Sequence, residues 1–127
     1  MDLILDTDAL SAIAEGAREA SRQFSRARRV AIPVIVLGEY RFGIAQSRHQ
    51  PEYERWLGGM VSVCNVLEVS EETAIWYAEI RGQLKEAGTP IPSNDVWMAA
   101  LCRQHTLSIL SRDRHFDLVK GVRRLDW

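Results

Sequence analysis

Apolar residues along the chain fall into short runs that alternate with longer segments of helical spacing. The runs are bounded by polar or turn-forming residues and have the length of buried strands. Predicted strands cover residues 3–5, 30–32, 106–110 and 123–125, with a further strand within 61–69. Predicted helices cover residues 9–14, 17–28, 34–46, 53–57, 73–87 and 95–103. Strands that alternate with helices predict an α/β fold with a parallel sheet covered on both faces.

Local sequence signals set several of these boundaries. We expect Asp8 to cap the first helix, because an aspartate at that position accepts a hydrogen bond from a backbone N–H. Pro33 suits the first turn of the helix that follows the second strand, and Pro51 is expected to open a short helix. Residues 88–93 (GTPIPS) predict a loop. The helix 95–103 is apolar on most faces, which is typical of a helix buried against a sheet.

Composition and charge narrow the class of protein without naming a function. The chain has 127 residues, enough for one domain, and 16 basic against 17 acidic residues leave a net charge of −1. These values argue against a disordered chain, a fibrous repeat and a strongly basic nucleic-acid wrapper. Cys64 and Cys102 lie far apart, so a disulfide framework is not expected, and a reducing cytoplasm is the default. The longest apolar stretch, 30–37, is too short to span a bilayer, and we expect no membrane association.

Four acidic residues stand out by their context. Asp6 follows the first strand, Asp113 follows the fourth, Glu39 lies in an otherwise apolar helix, and Asp95 opens the buried helix. In parallel sheets, ligands bind outside the carboxyl ends of the strands. Each acid also has an ordinary structural interpretation, as a helix cap, a helix N-terminal acid, a turn residue or part of a solvated face.

Three segments in this order resemble the PIN domain, most closely the VapC-type toxin ribonucleases of bacterial toxin–antitoxin pairs. They are residues 3–8 (LILDTD), 90–100 (PIPSNDVWMAA) and 110–117 (LSRDRHFD), with the helix that carries Glu39 between the first two. Asp8 stands where the family often has Asn, and Ser111 where it often has Thr. The resemblance covers essentially the whole chain. It implies a single PIN domain over residues 1–127, a three-layer α/β/α sandwich whose central, mainly parallel sheet has about five strands.

The resemblance implies a metal-dependent endoribonuclease that leaves a 3′-hydroxyl and a 5′-phosphate. Asp6, Glu39, Asp95 and Asp113 would be the catalytic acids and would bind Mg²⁺ or Mn²⁺. Asp6 and Asp95 would be direct ligands, whereas Glu39 and Asp113 would act directly or through water. Four carboxylates in one cleft would repel one another unless a cation neutralised them. Asp117 could share or replace the role of Asp113.

The family resemblance also implies partners, namely an RNA substrate, a VapB-type antitoxin and a second copy in a homodimer. Arg112 and Arg114, which flank Asp113, are the candidate RNA contacts. Thr7 and Ser111 are hydroxyl residues beside two of the acids, and either could orient an acid or serve as a local cap. The three histidines have no metal-ligand spacing, and we expect His115 to have a structural or RNA-contacting role.

Three other functions compete with the ribonuclease hypothesis. A haloacid-dehalogenase-like phosphohydrolase would use Asp6 and Asp8, but it gives Glu39 and Asp95 no role. A receiver domain needs an aspartate after the third strand, where this chain has residues 67–70 (LEVS). A PIN-like binding module without catalysis is the third alternative, and the intact acids argue against it.

Overall fold

A five-stranded sheet lies at the centre of the computed structural model, which describes residues 2–127. Its strands are β1 (Asp2–Leu5), β2 (Arg29–Pro33), β3 (Asn65–Leu67), β4 (Ser108–Leu110) and β5 (Arg124–Leu125). They lie in the order β3-β2-β1-β4-β5, and every pairing is parallel. The central strand, β1, pairs with β2 on one side and with β4 on the other. The predicted parallel sheet of about five strands is confirmed.

Six helices connect the strands and cover the sheet. They are α1 (Thr7–Ala14), α2 (Arg18–Arg26), α3 (Val34–Ile44), α4 (Gln50–Val63), α5 (Glu71–Glu86) and α6 (Ser93–His105), followed by a 3₁₀ turn over Arg114–Leu118. Helix α1 packs on α2 and α3, whereas α5 packs on α6. The connections from β1 to β2 and from β2 to β3 run one way along the sheet, and the connection from β3 to β4 runs the other way. Because such crossovers are right-handed, the two groups of helices lie on opposite faces of the sheet. This is the three-layer α/β/α arrangement expected from the sequence.

The hydrophobic core includes residues of the central strand β1 and of helix α6. The three apolar residues of β1, Leu3, Ile4 and Leu5, are fully buried, and so is Leu101 of α6. Each such side chain contributes about 1.5–3 kcal/mol of burial free energy. No helix within residues 2–127 has both the length and the apolar character needed to cross a membrane. The core therefore fixes the central strand and the helix that carry two of the four candidate acids.

The predicted cap of α1 is wrong. Asp6, not Asp8, caps this helix, because its Oδ1 accepts a hydrogen bond from the backbone N–H of Ala9 at 2.8 Å. The backbone of Asp6 is extended, so the chain passes from strand to helix without an intervening loop. Asp8 is exposed in the first helical turn.

Other helix boundaries also differ from the prediction. The short helix expected over residues 53–57 is the 14-residue helix α4, which continues through Gly58 and Gly59. The buried side chains of Leu57 and Met60 hold this segment against the core and outweigh the low helix propensity of glycine. Helix α2 ends at Arg26, because the backbone of Ala27 is extended.

Candidate active site

A cleft of about 290 Å³ opens at the carboxyl ends of β1 and β4. From β1 the chain continues to β2 on one side of the sheet, whereas β4 lies on the other side of β1. Open parallel sheets bind ligands at such a point, where the strand order reverses. Five carboxylates line the cleft, namely Asp6, Asp8, Glu39, Asp95 and Asp113. The structure therefore brings together all four acids singled out in the sequence, although they come from four separate segments of the chain.

Asp6 is held rigidly at the inner end of the cleft. It follows the last residue of β1 and caps α1 through Oδ1. Burial raises the pKa of Asp6 to about 6, and a hydrogen bond with Ser111 acts in the opposite direction. Ser111 itself is fully buried, and its Oγ accepts a hydrogen bond from the backbone N–H of Asp113 at 3.0 Å. Ser111 thus connects the segment after β4 to the carboxylate after β1.

Glu39 reaches the cleft from α3. Its neighbours Leu37 and Tyr40 are buried and fix the helix, whereas Glu39 is exposed to solvent. The Thr7 hydroxyl donates a hydrogen bond of 3.0 Å to Oε1 of Glu39. The sequence left the role of Thr7 open, and the structure places its hydroxyl where it orients this glutamate.

Asp95 lies in the first turn of α6, where the helix dipole favours a negative charge. Its side chain is 19% exposed. Burial raises the pKa of Asp95, the hydrogen bond from His115 lowers it, and the nearby charge of Asp113 raises it further. Because burial dominates, a full negative charge on Asp95 is costly in the absence of a cation.

Asp113 and His115 belong to the 3₁₀ turn that follows β4. Oδ1 of Asp113 caps this turn by accepting a hydrogen bond from the backbone N–H of His115 at 2.9 Å. The Nδ1 atom of His115 lies 2.9 Å from Oδ2 of Asp95 and 3.0 Å from Oδ1 of Asp113. These contacts raise the pKa of His115, with the hydrogen bond to Asp95 as the largest cause.

Sequence reasoning missed the position of His115 between two of the acids. Ligand spacing in the sequence gave no signal, because Asp95 lies on a helix twenty residues away. The available signal was the Asp-x-His order after a buried strand, since an N-cap aspartate accepts a hydrogen bond from the backbone N–H two residues later and so holds that residue close.

The other residues predicted for the site do not line the cleft. Asp117 accepts two hydrogen bonds from Arg124, at 2.9 and 3.1 Å, and does not line the cleft. Arg112 donates two hydrogen bonds to the carbonyl oxygen of Trp127 and stacks on its ring at 4.8 Å. Arg114 is exposed at the start of the 3₁₀ turn.

The donor set of the cleft fits a divalent cation. Within residues 2–127, no lysine or arginine forms an ion pair with any of the four acids, and none lines the cleft. Ligand atoms of Asp95, Asp113 and His115 all lie within 4.8 Å of one another. Oxygen-rich clusters of this kind are the ligands that Mg²⁺ and Mn²⁺ prefer.

Comparisons with known proteins identify relatives of this chain. The family model of the PIN domain matches residues 3–122. Ribonuclease VapC5 of Mycobacterium tuberculosis is 30% identical over 111 residues, which cover 84% of this chain and 82% of that protein. The tRNA(fMet)-specific endonuclease VapC of Salmonella typhimurium is 28% identical over 100 residues, which cover 78% of this chain and 76% of that protein.

Solved structures give the same result for the fold. A chain of the DNA-bound VapBC complex from Salmonella typhimurium superposes with a TM-score of 0.85 and 25% identity, covering 100% of this chain and 98% of that one. FitAcB from Neisseria gonorrhoeae superposes with a TM-score of 0.86 at 24% identity, covering 97% and 96% of the two chains. These matches support neither the phosphohydrolase nor the receiver alternative. The chain belongs to the PIN-domain family, among its VapC-type ribonucleases.

Proposed function

We propose that this protein is a metal-dependent endoribonuclease and the toxin of a VapBC-type toxin–antitoxin pair. The observation that carries the proposal is the convergence of Asp6, Glu39, Asp95 and Asp113 on one cleft that lacks a neutralising lysine or arginine within residues 2–127. The ribonuclease names of its relatives support RNA as the substrate class. We also propose that residues 1–127 form a single domain.

The cofactor in this proposal is Mg²⁺ or Mn²⁺. Asp6 and Asp95 would bind it directly, and Glu39 and Asp113 would bind it directly or through water. When bound, such an ion supplies a Lewis acid that polarises phosphoryl oxygens and lowers the pKa of water. Its charge also offsets the burial that disfavours ionised Asp6 and Asp95.

The side chains of the cleft have separate roles in hydrolysis. Glu39 is exposed and is oriented by Thr7, so it can hold an attacking water and accept its proton. The water oxygen attacks phosphorus, and the bond from phosphorus to the 3′ oxygen breaks. A proton passes from solvent water to that oxygen, and Glu39 returns its proton to solvent, so the products are a 3′-hydroxyl and a 5′-phosphate. Asp95 and Asp113, both fixed by hydrogen bonds to His115, would hold the cation, whose positive charge would attract the reacting phosphate.

RNA contacts and protein partners complete the proposal. Arg114 is exposed beside the cleft and is the better candidate for a phosphate contact, because Arg112 is held by Trp127. A VapB-type antitoxin and a homodimer are proposed from the VapBC complexes that this fold matches.

The experiment is an RNA cleavage assay with purified protein, Mg²⁺ or Mn²⁺, and total cellular RNA followed by sequencing of the new 5′ ends. We expect Asp95→Asn to reduce cleavage by at least about 100-fold, since a ligand carboxylate is lost. Asp117→Asn is the matched control, because Asp117 lies outside the cleft, and it should retain activity. Equal activity of the wild type and Asp95→Asn, or RNA binding without cleavage by the wild type, would contradict the proposal.

A further inference from the structure

The cleft contains a nitrogen donor among its carboxylates. Nδ1 of His115 contacts one oxygen each of Asp95 and Asp113, and all three ligand atoms lie within 4.8 Å of one another. Among the residues that line the cleft, His115 is the only side chain that, as a neutral imidazole with Nδ1 unprotonated, offers a nitrogen lone pair to a metal.

The distances at His115 suit adjacent positions around one cation. Octahedral ligands about 2.0–2.1 Å from a small divalent ion are separated from their neighbours by about 3 Å. The separations of 2.9 Å and 3.0 Å from Nδ1 to the two carboxylate oxygens have this length. An ion could therefore bind all three atoms with little movement of the side chains.

The local fold holds the backbone of His115 in place before any ion binds. The backbone N–H of His115 donates to Oδ1 of Asp113, and the next residue, Phe116, is 1% exposed and anchors the turn. The side chain of His115 is 45% exposed, so its ring can adjust without disturbing the core.

We propose that His115 is a direct nitrogen ligand of the catalytic metal and makes this centre select Mn²⁺ over Mg²⁺. The inference rests on the proposed metal-dependent function. Mg²⁺ is a hard cation that keeps oxygen ligands and water, whereas imidazole binds transition metals well. Exchanging a water for imidazole therefore strengthens Mn²⁺ binding much more than Mg²⁺ binding.

A purely positioning role for His115 leads to a different expectation. If the ring only donates a hydrogen bond that orients Asp95 and Asp113, its loss weakens the binding of both ions to a similar extent. The ratio of the two dissociation constants separates the two roles, and it does not depend on RNA cleavage.

The decisive variant is His115→Asn. The asparagine side-chain nitrogen takes the place of Nδ1 and can donate the same hydrogen bond, but an amide nitrogen does not bind metals. Titration calorimetry of metal-free protein measures the affinities for Mn²⁺ and for Mg²⁺. We expect Mn²⁺ affinity to fall at least about tenfold and Mg²⁺ affinity to change less than about threefold.

Pulsed electron paramagnetic resonance of the Mn²⁺ complex provides a direct readout of ligation. The wild type should show coupling of Mn²⁺ to an imidazole ¹⁴N nucleus, and His115→Asn should lose this coupling at saturating Mn²⁺. His115→Gln is a second variant in case the first does not fold. His49→Ala is the matched control, because His49 lies 3.7 Å from Glu52 on α4, outside the cleft, and it should leave both affinities unchanged.

Three outcomes would overturn the proposal: a parallel loss of both affinities, unchanged affinities, or no ¹⁴N coupling in the wild type. The RNA cleavage assay separates this inference from the function on which it rests. Cleavage by the wild type with an unchanged affinity ratio in His115→Asn refutes only the nitrogen ligand. Selective Mn²⁺ binding without any cleavage refutes only the ribonuclease proposal.

Discussion

The carboxylate of Asp6 caps helix α1 and also lines the candidate active site. One oxygen caps α1 through Ala9, and the same side chain lies at the inner end of the acidic cleft. Its pKa is raised to about 6 because burial removes water from the charged form. In the metal-free protein, ionised Asp6 therefore lowers the free energy of unfolding, and a cation relieves that cost.

The first prediction concerns the stability of metal-free Asp6→Asn. The folded protein holds the Asp6 proton more tightly than the unfolded chain, so wild-type stability falls as the pH rises from about 4 to about 6. Asparagine keeps the cap and does not titrate. We expect the variant to be more stable than the wild type by about 1–3 kcal/mol at pH 7 and similar to it at pH 4.

Urea unfolding in the presence of a chelator at both pH values measures this difference. Asp8→Asn is the control, because Asp8 is an exposed acid in the first turn of the same helix. A stability difference for Asp6→Asn that is the same at pH 4 and pH 7 would show that burial of the charge is not its source.

Helix α6 shows how an element positions the site. It is joined to α5 near both of its ends. The Tyr77 hydroxyl lies 2.9 Å from Oγ of Ser93 at the start of α6, and Thr73 donates a hydrogen bond of 2.6 Å to Gln104 near its end. Asp95 lies in the first turn of α6, close to the contact between Tyr77 and Ser93. Its position therefore depends on the packing of α5 against α6 as well as on the sheet.

The second prediction concerns the buried hydroxyl of Thr73. Thr73 is fully buried, and its hydroxyl contacts Gln104 and also accepts the backbone N–H of Ser70 in the capping box of α5. Thr73→Val keeps the shape but leaves these partners unsatisfied, so we expect a loss of about 1–3 kcal/mol in the free energy of unfolding. Thr89→Val, in the loop before α6, is the control and should cost less than about 1 kcal/mol.

Urea unfolding at neutral pH measures both variants. RNA cleavage at low temperature should remain near wild type in Thr73→Val, since the hydroxyl does not line the cleft. A stability close to that of the wild type would mean that water replaces the lost partner.

The molecule as a whole concentrates negative charge in one place. The net charge is −1, yet five carboxylates line a single cleft, and outside the four candidate ligands basic residues outnumber acidic ones. Because the rest of the protein is mildly basic, it can approach RNA although the net charge of the whole chain is nearly neutral. Metal binding is therefore expected to stabilise the entire fold, because the cleft joins β1, α3, α6 and the 3₁₀ turn.

The third prediction is that the melting temperature depends on metal. Mn²⁺ at 100 times its dissociation constant adds about 2.7 kcal/mol of stability, which raises the melting temperature of a domain of this size by about 10 °C. A chelator should reverse the gain. Thermal denaturation with and without Mn²⁺ checks this, and an equal gain in Asp95→Asn would place the stabilising ion outside the cleft.

The sequence predicted the layers of the fold better than the contacts within them. Buried strands and the apolar α6 follow from hydrophobic runs, because burial depends on residue type more than on exact geometry. The cap of α1 was misassigned, since Asp6 and Asp8 are equally good caps and only the absence of a loop after β1 decides between them. The position of His115 beside Asp95 depends on a 3₁₀ turn and on the register of α6. Neither feature produces a periodic pattern of residues in the sequence.

The central position of β1 has a consequence for synthesis of the protein. β1 is synthesised well before its partner β4 and the acid Asp113, which lie much later in the chain. Chains grow at about 5–20 residues per second, so β1 exists for seconds before the cleft can form. A ribosome that stops before Asp113 releases a fragment without the complete set of acids. A cell that makes this protein is thus exposed to the assembled cleft only after Asp113 has been synthesised.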